Sequence, residues 1–311
     1  MRQQYIDILK GIVIIWVLWM HMDLPELLYP AVQMPVFFFL SGCFYLRKGT
    51  IGTQIKADAF HLLLPTVCFM AIAGILMALT GNEVWNGSVI DTIQVCRNAS
   101  ITWFLIALFC FRLFSYPFEK YNIKWVMLVI ACILYPIGFM WKVYRPDIII
   151  PIIPIQEMFM FGVYYVIGIT MGKWVLNAII DRGGKSVIYV MLGICYLLLV
   201  HLLDWESGWL NHIPWLVYGF FYTLIFIYIG LVFCWHLRKI DWLRRPIAYV
   251  GKYSIVFYLT HFLIYNYGFT HVVVNQYLVF VLIVVIEYPL IYLFVNYLPW
   301  MIGQKHIVKN R

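Results

Sequence analysis

Lys10 and His21 stand in the first apolar run of the chain, with Asp7 one helical turn ahead of the lysine. A helix rises about 1.5 Å per residue, so this spacing separates the two residues by roughly 16 Å along the axis, about half of a hydrocarbon core of roughly 30 Å. At about 3.6 residues per turn the spacing also returns close to register, which places Asp7, Lys10 and His21 along one helical face. Two readings are open for such a face. The lysine snorkels to one interface and the histidine anchors at the other, or the two groups line a pore. The chemistry of the second reading is specific: histidine titrates near neutrality and can take the proton of a hydroxyl, whereas lysine offers a point charge to an anion or a developing oxyanion.

Further ionisable or polar groups lie inside apolar runs. His261 closes Tyr258-Leu259-Thr260-His261 and needs a partner or a cavity; Ser41, Trp103, Arg112 and Glu157 are further candidates to line a pore. Arg112, Glu157 and Glu287 suit pairing with one another or with Lys10. No metal site is expected. The 7 cysteines are an odd count without close pairs, which fits neither a disulfide framework nor a metal-ligand spacing.

The elements that must position these groups are helices in a membrane. The 311 residues are 64% hydrophobic and 12% charged, with a mean hydropathy of +0.87, well beyond a soluble domain. Apolar runs long enough to cross a bilayer fall at roughly 6–22, 29–46, 61–80, 101–118, 124–142, 155–173, 187–203, 214–236, 247–267 and 276–300. They are continuous rather than alternating, so the expectation is an all-α polytopic protein of about ten transmembrane helices, one domain over 1–311. The first run ends in His21-Met22-Asp23 without a small-residue cleavage site and reads as a retained span.

The net charge of +8 comes from basic residues scattered singly or in pairs between the runs, not from one patch, which argues against nucleic acid as a partner. Of the 22 lysines and arginines, 18 fall in the N-terminus and alternate connections; Arg97, Lys142 and Arg145 fall opposite, and Arg112 lies within a run. By the positive-inside rule both termini are cytoplasmic and His21 lies toward the outer face.

Several of these stretches together resemble the acyltransferase 3 family of integral membrane acyltransferases. They are Asp7-x-x-Lys10-Gly11 followed by His21, Pro35-Val-Phe-Phe-Phe-Leu-Ser-Gly42, Trp103-Phe-Leu105, Tyr253-Ser-Ile255 and Tyr258-Leu-Thr-His261, in the family's order and over nearly the whole chain. The resemblance implies a ten-helix core in a bacterial inner membrane, surrounded by lipid. It implies transfer of an acyl group, often acetyl from acetyl-CoA as donor, onto a sugar hydroxyl of an envelope or exported glycan as acceptor. Lys10 and His21 match the family's basic residue and histidine, with lysine where arginine is commoner. His21 is then the expected catalytic base, and Lys10 a catalytic or donor-binding group. Arg47, Lys48, Lys56 and His61 join Lys10 as expected CoA-binding residues at the inner rim, and Asp7, Ser41, Trp103, Arg112, Glu157 and His261 are the expected pore lining. The chain departs from the family at His61-Leu-Leu-Leu-Pro65, where many members carry Arg-x-x-Arg before the proline, so a CoA-phosphate role for that pair is not carried over. Buried His, Glu and Arg in a ten-span protein also suit a proton-coupled secondary transporter, although no internal repeat is visible.

Overall fold

A computed structural model describes residues 4–22, 24–25, 32–82, 84, 88–146, 148, 150–182, 190–198, 213–269 and 275–304. The regular elements among them are helices: α1 (Gln4–His21), α2 (Gln33–Cys43), α3 (Ile51–Asp58) running through a π turn (Ala59–Leu63) into α4 (Leu64–Leu79), α5 (Val89–Ser100), α6 (Trp103–Lys120), α7 (Lys124–Tyr144), α8 (Ile155–Arg182), α9 (190–198), α10 (Ile213–Leu237), α11 (Asp241–Lys252), α12 (Ser254–Ile264) with a π turn (Tyr265–Phe269), α13 (Gln276–Tyr297) and a 3-10 turn (Pro299–Ile302). The protein is all-α and polytopic. Among the described residues, six segments are long and apolar enough to cross a membrane: α1, the α3–α4 run, α7, α8, α10 and α13. Each of two bent pairs, α5–α6 at 104° and α11–α12 at 81°, is long and apolar enough only when its halves are taken together. The termini (1–3 and 305–311) and both ends of the run at 187–203 lie outside the described residues.

Three elements differ from the hydrophobic pattern. Among the described residues, the run at 29–46 is helical over the 11 residues of α2, and Phe44 to Lys48 continue without regular structure. Ahead of the run at 101–118 stands a helix that hydropathy does not mark, α5, because Asp91, Gln94, Arg97 and Asn98 make it polar. Its start is capped by Ser88, whose Oγ accepts the Asp91 amide at 3.1 Å, and its end is turned by Ile101 in the left-handed region at φ 51°. In place of one span at 247–267, α11 carries Asp241, Arg244 and Arg245 on a short helix that bends at Tyr253 into α12.

The site-bearing helix, α1, runs through the centre of the bundle and touches α2, α10, α11, α12 and α13, with Ile8, Val13 and Leu18 fully buried. Its crossing with α11 is a backbone contact. A Cβ on Gly251 would overlap the Asp7 carbonyl oxygen, and one on Gly11 would overlap that of Ile247. The α2–α8 crossing is built the same way, Gly42 lying on the Tyr165 carbonyl and Gly168 on that of Phe39. At the periphery, α7 presents Trp125, Val129, Ile133 and Ile137 at every fourth position, an exposed apolar stripe suited to lipid.

Candidate active site

His21 ends α1 and faces His261 of α12, with ring centroids 5.5 Å apart and planes inclined by 35°. His261 is fully buried. Its Nδ1 lies 2.6 Å from the Phe257 carbonyl oxygen, which can only accept, so Nδ1 carries the proton and Nε2 is left as a lone-pair acceptor. That Nε2 is buried and has no hydrogen-bond partner among the described residues. His21 is partly exposed, and the edge of Phe262 closes on its ring at 5.4 Å between centroids.

One turn before His261, Tyr258 donates to the Ile101 carbonyl oxygen and accepts the Phe104 amide at 3.3 Å. It thereby holds both sides of the α5–α6 bend. Between these two residues Thr260 binds Glu287 of α13, with Oγ1 2.7 and 2.8 Å from the two carboxylate oxygens. The sequence motifs meet here for packing reasons. Phe38 of the Phe-Phe-Phe stretch is enclosed by Trp103, Phe104, Phe111 and Phe161 at centroid distances of 4.7 to 6.3 Å. The aromatic wall so formed backs the helix that carries His261 through Phe104 and Tyr258, 5.5 Å apart.

Lys10 opens on a cavity of about 140 Å³ whose lining includes Ser41, Leu62, Phe104, Ser254 and Tyr258. Asp7 belongs to a separate cleft of about 380 Å³ between α1 and α11, where it is joined by Gln4, Arg244, Arg245 and Lys252. Arg244 is fixed there by Gln4 Oε1 at 3.0 Å and Asp241 at 2.7 Å. Because α1 is unbroken from Gln4 to His21, Lys10 and His21 remain separated along it: the lysine borders the cavity and the histidine meets α12.

The other expected residues are distributed as follows. Ser41 joins Lys10 in its cavity, and Trp103 belongs to the aromatic wall. Arg112 is bound to Asp58 at 2.9 Å and stacks over Tyr45, 5.3 Å from the ring centroid, tying α6 to α3. Gln54 also donates to Asp58, and its Oε1 accepts the Lys48 amide at 2.7 Å. Arg47 lies exposed over the Tyr116 ring at 5.7 Å, and Lys56 is exposed on α3. His61 sits in the π turn with Nδ1 2.5 Å from the Gly303 carbonyl oxygen, so its ring is committed to the 3-10 turn. Glu157 lines another cavity with Arg97. Glu287 pairs with Thr260 rather than with Arg112 or Lys10.

Sequence reasoning did not identify Asp58 as the arginine's partner, nor Tyr258 as the clamp on the α5–α6 bend. Only the first left a trace in the sequence, an acidic residue immediately before a long apolar run.

The chemistry on offer is a histidine pair, with one unused lone pair on His261, and a small cavity lined by Lys10 that reaches Tyr258, one turn before His261. No group of three or more metal-ligating side chains occurs among the described residues. A family model described as an acyltransferase domain matches residues 3–302, nearly the whole chain. No curated protein and no solved structure matches it.

Proposed function

The chain belongs to the acyltransferase 3 family of membrane acyltransferases, and we propose that it carries acetyl from acetyl-CoA to a hydroxyl of an envelope or exported glycan. The observation that carries this reading is the His21–His261 pair together with the Lys10 cavity, whose lining reaches Tyr258, one turn from His261.

An alcohol is almost un-ionised at neutral pH, so transfer needs a base at the acceptor oxygen. His21, the partly exposed member of the pair, takes the hydroxyl proton as the oxygen attacks the thioester carbon. The tetrahedral intermediate then collapses with loss of the CoA thiolate, and His21 returns the proton to sulfur, leaving an ester and a free thiol. His261 packs against the base and is held by its own helix through Nδ1. At about 140 Å³ the Lys10 cavity has room for the acetyl thioester end of the donor but not for its nucleotide. The phosphates fit the cleft of Arg244, Arg245 and Lys252 at the start of α1, and Lys10 stands between the two as the group that steers the negative donor. Arg47, Lys48, Lys56 and His61 lie outside both lining sets and contribute to the basic rim at most through the field they create.

This reading places the termini in the cytoplasm of a bacterial inner membrane, supported by the charge bias, so that donor and acceptor approach from opposite faces. The test is reconstituted protein given radiolabelled acetyl-CoA and a glycan fraction from cells lacking the protein. Label is expected in ester linkage to sugar. Label that stays on CoA, together with solute accumulation against a proton gradient, would establish the transporter instead.

A further inference from the structure

Where α5 ends and α7 gives way to α8 lies a cavity of about 170 Å³ that no step above uses. Its lining combines one aromatic ring, Trp141, with five hydrogen-bonding side chains: Gln94, Arg97, Asn98, Gln156 and Glu157. Sugar binding needs both. The C–H face of a pyranose packs on an aromatic ring, and its hydroxyls each donate and accept to planar amide, guanidinium and carboxylate groups.

The polar groups are pre-arranged by the backbone. Gln94 Oε1 accepts the Ile152 amide at 2.8 Å, and Arg97 Nη1 donates to the Ile152 carbonyl at 3.0 Å. Asn98 Oδ1 accepts from both Gln94 and Arg97 at 3.2 Å, which leaves the Asn98 amide nitrogen as a donor. Trp141 Nε1 donates to the Ile148 carbonyl at 3.1 Å, which fixes the indole against the α7–α8 connection. Two buried donors in this wall, Arg97 Nε and Gln156 Nε2, have no partner among the described residues. Glu157 is within electrostatic range of Arg97 without forming an ion pair with it, so the site carries one charge of each sign and no net preference for an ionic ligand.

We propose that this cavity is the acceptor subsite and that it binds one neutral pyranose ring of the glycan, stacked on Trp141 and hydrogen-bonded by Asn98, Arg97 and Glu157. This rests on the acyltransferase reading above and names where its acceptor is held. The link to the histidines runs through the end of α5. Gln94, Arg97 and Asn98 stand on α5, whose end at Ile101 is fastened to Tyr258, one turn from His261. A sugar held here is positioned by the same helix that the histidine pair leans on.

The test is the apparent KM of purified, reconstituted protein for the glycan fraction from cells lacking the protein, beside its affinity for acetyl-CoA. Trp141→Leu and Asn98→Ala are each expected to raise the glycan KM about tenfold, the scale of one lost aromatic or hydrogen-bond contact, while acetyl-CoA affinity holds. Trp141→Phe keeps an aromatic face but loses the second ring and the bond to Ile148, so its glycan KM is expected to lie between those of wild type and Trp141→Leu. An unchanged glycan KM in both variants, or a Phe variant as poor as the Leu variant, overturns the subsite and leaves the acyltransferase reading standing. If wild type transfers nothing, direct binding of the glycan fraction decides. Binding lost in Trp141→Leu upholds the subsite while refuting the catalysis, and no binding by wild type overturns both.

Discussion

Tyr258 gives its phenolic proton to the carbonyl of Ile101, and this one bond joins the bend between α5 and α6 to the helix that carries His261. Ile101 is a β-branched residue in the left-handed region, a conformation that costs energy and persists only where surrounding contacts impose it. The tyrosine supplies part of that imposition, because its oxygen also accepts the Phe104 amide on the other side of the bend.

Tyr258→Phe is therefore expected to destabilise the protein without emptying the core, since the ring remains and only the hydroxyl is lost. A buried carbonyl and a buried amide then lack partners, at a cost of about 1–3 kcal/mol. Thermal unfolding of the detergent-solubilised variant should fall below wild type, and equal midpoints would show that the bend is held by other contacts.

His21→Ala should abolish acyl transfer, a loss of roughly a hundredfold or more for a positioned general base, with normal insertion because an apolar helix becomes more apolar. His261→Ala should lower kcat and leave acetyl-CoA affinity unchanged, since His261 touches His21 and does not line the Lys10 cavity. Near-normal glycan acylation by either variant would remove that histidine from the mechanism.

Lys10 is the reciprocal case. Lys10→Arg keeps the charge beside the cavity and should retain most activity, whereas Lys10→Ala should weaken acetyl-CoA binding in the purified protein. Under the same assay His21→Ala should bind acetyl-CoA as wild type does. Donor binding unaffected in Lys10→Ala would show that the lysine serves packing or proton balance instead.

The sequence made the helical, membrane-spanning character of the fold plain, because continuous apolar runs leave few other structures for a backbone in lipid. The α1 spacing of Lys10 and His21 was legible for the same reason: one unbroken helix converts residue number into height and direction. The partners were not legible. His261, Glu287 and Asp58 stand 240, 27 and 54 positions from the groups they meet, His21, Thr260 and Arg112, and hydrophobic periodicity carries no information about which helices adjoin. The bend at Ile101 was hidden because no glycine or proline marks it; it depends on a tertiary contact to Tyr258. Helix α5 was missed because it is polar, and the cavity it lines was missed with it.

Arg112 illustrates how position in an apolar run misleads. An arginine there reads as pore lining, yet this one, half-buried, is paired with Asp58, itself almost fully buried. Arg112→Ala leaves that carboxylate uncompensated and should cost about 3–5 kcal/mol, whereas Asp58→Asn combined with Arg112→Gln should recover much of the loss. Unfolding midpoints of the two variants provide the comparison. A midpoint for the double variant no higher than that of Arg112→Ala would mean that the charges matter less than the stacking on Tyr45.

The two-sided scheme stands or falls on topology. Asp91 is exposed on α5, beside the proposed acceptor subsite, and Lys239 is exposed in the turn between α10 and α11, beside the basic cleft. If acceptor and donor approach from opposite faces, these two positions must lie across the membrane from each other. Asp91→Cys should then gain labelling by a membrane-impermeant thiol reagent on intact cells, and Lys239→Cys only after permeabilisation, each measured as the increase over the natural cysteines. The reverse pattern would turn His21 toward the cytoplasm, and equal labelling of both on intact cells would put the proposed donor and acceptor sites on one side. The first result would put the proposed donor cleft on the face that cytoplasmic acetyl-CoA does not reach, and the second would leave the separation of Lys10 from His21 without its purpose.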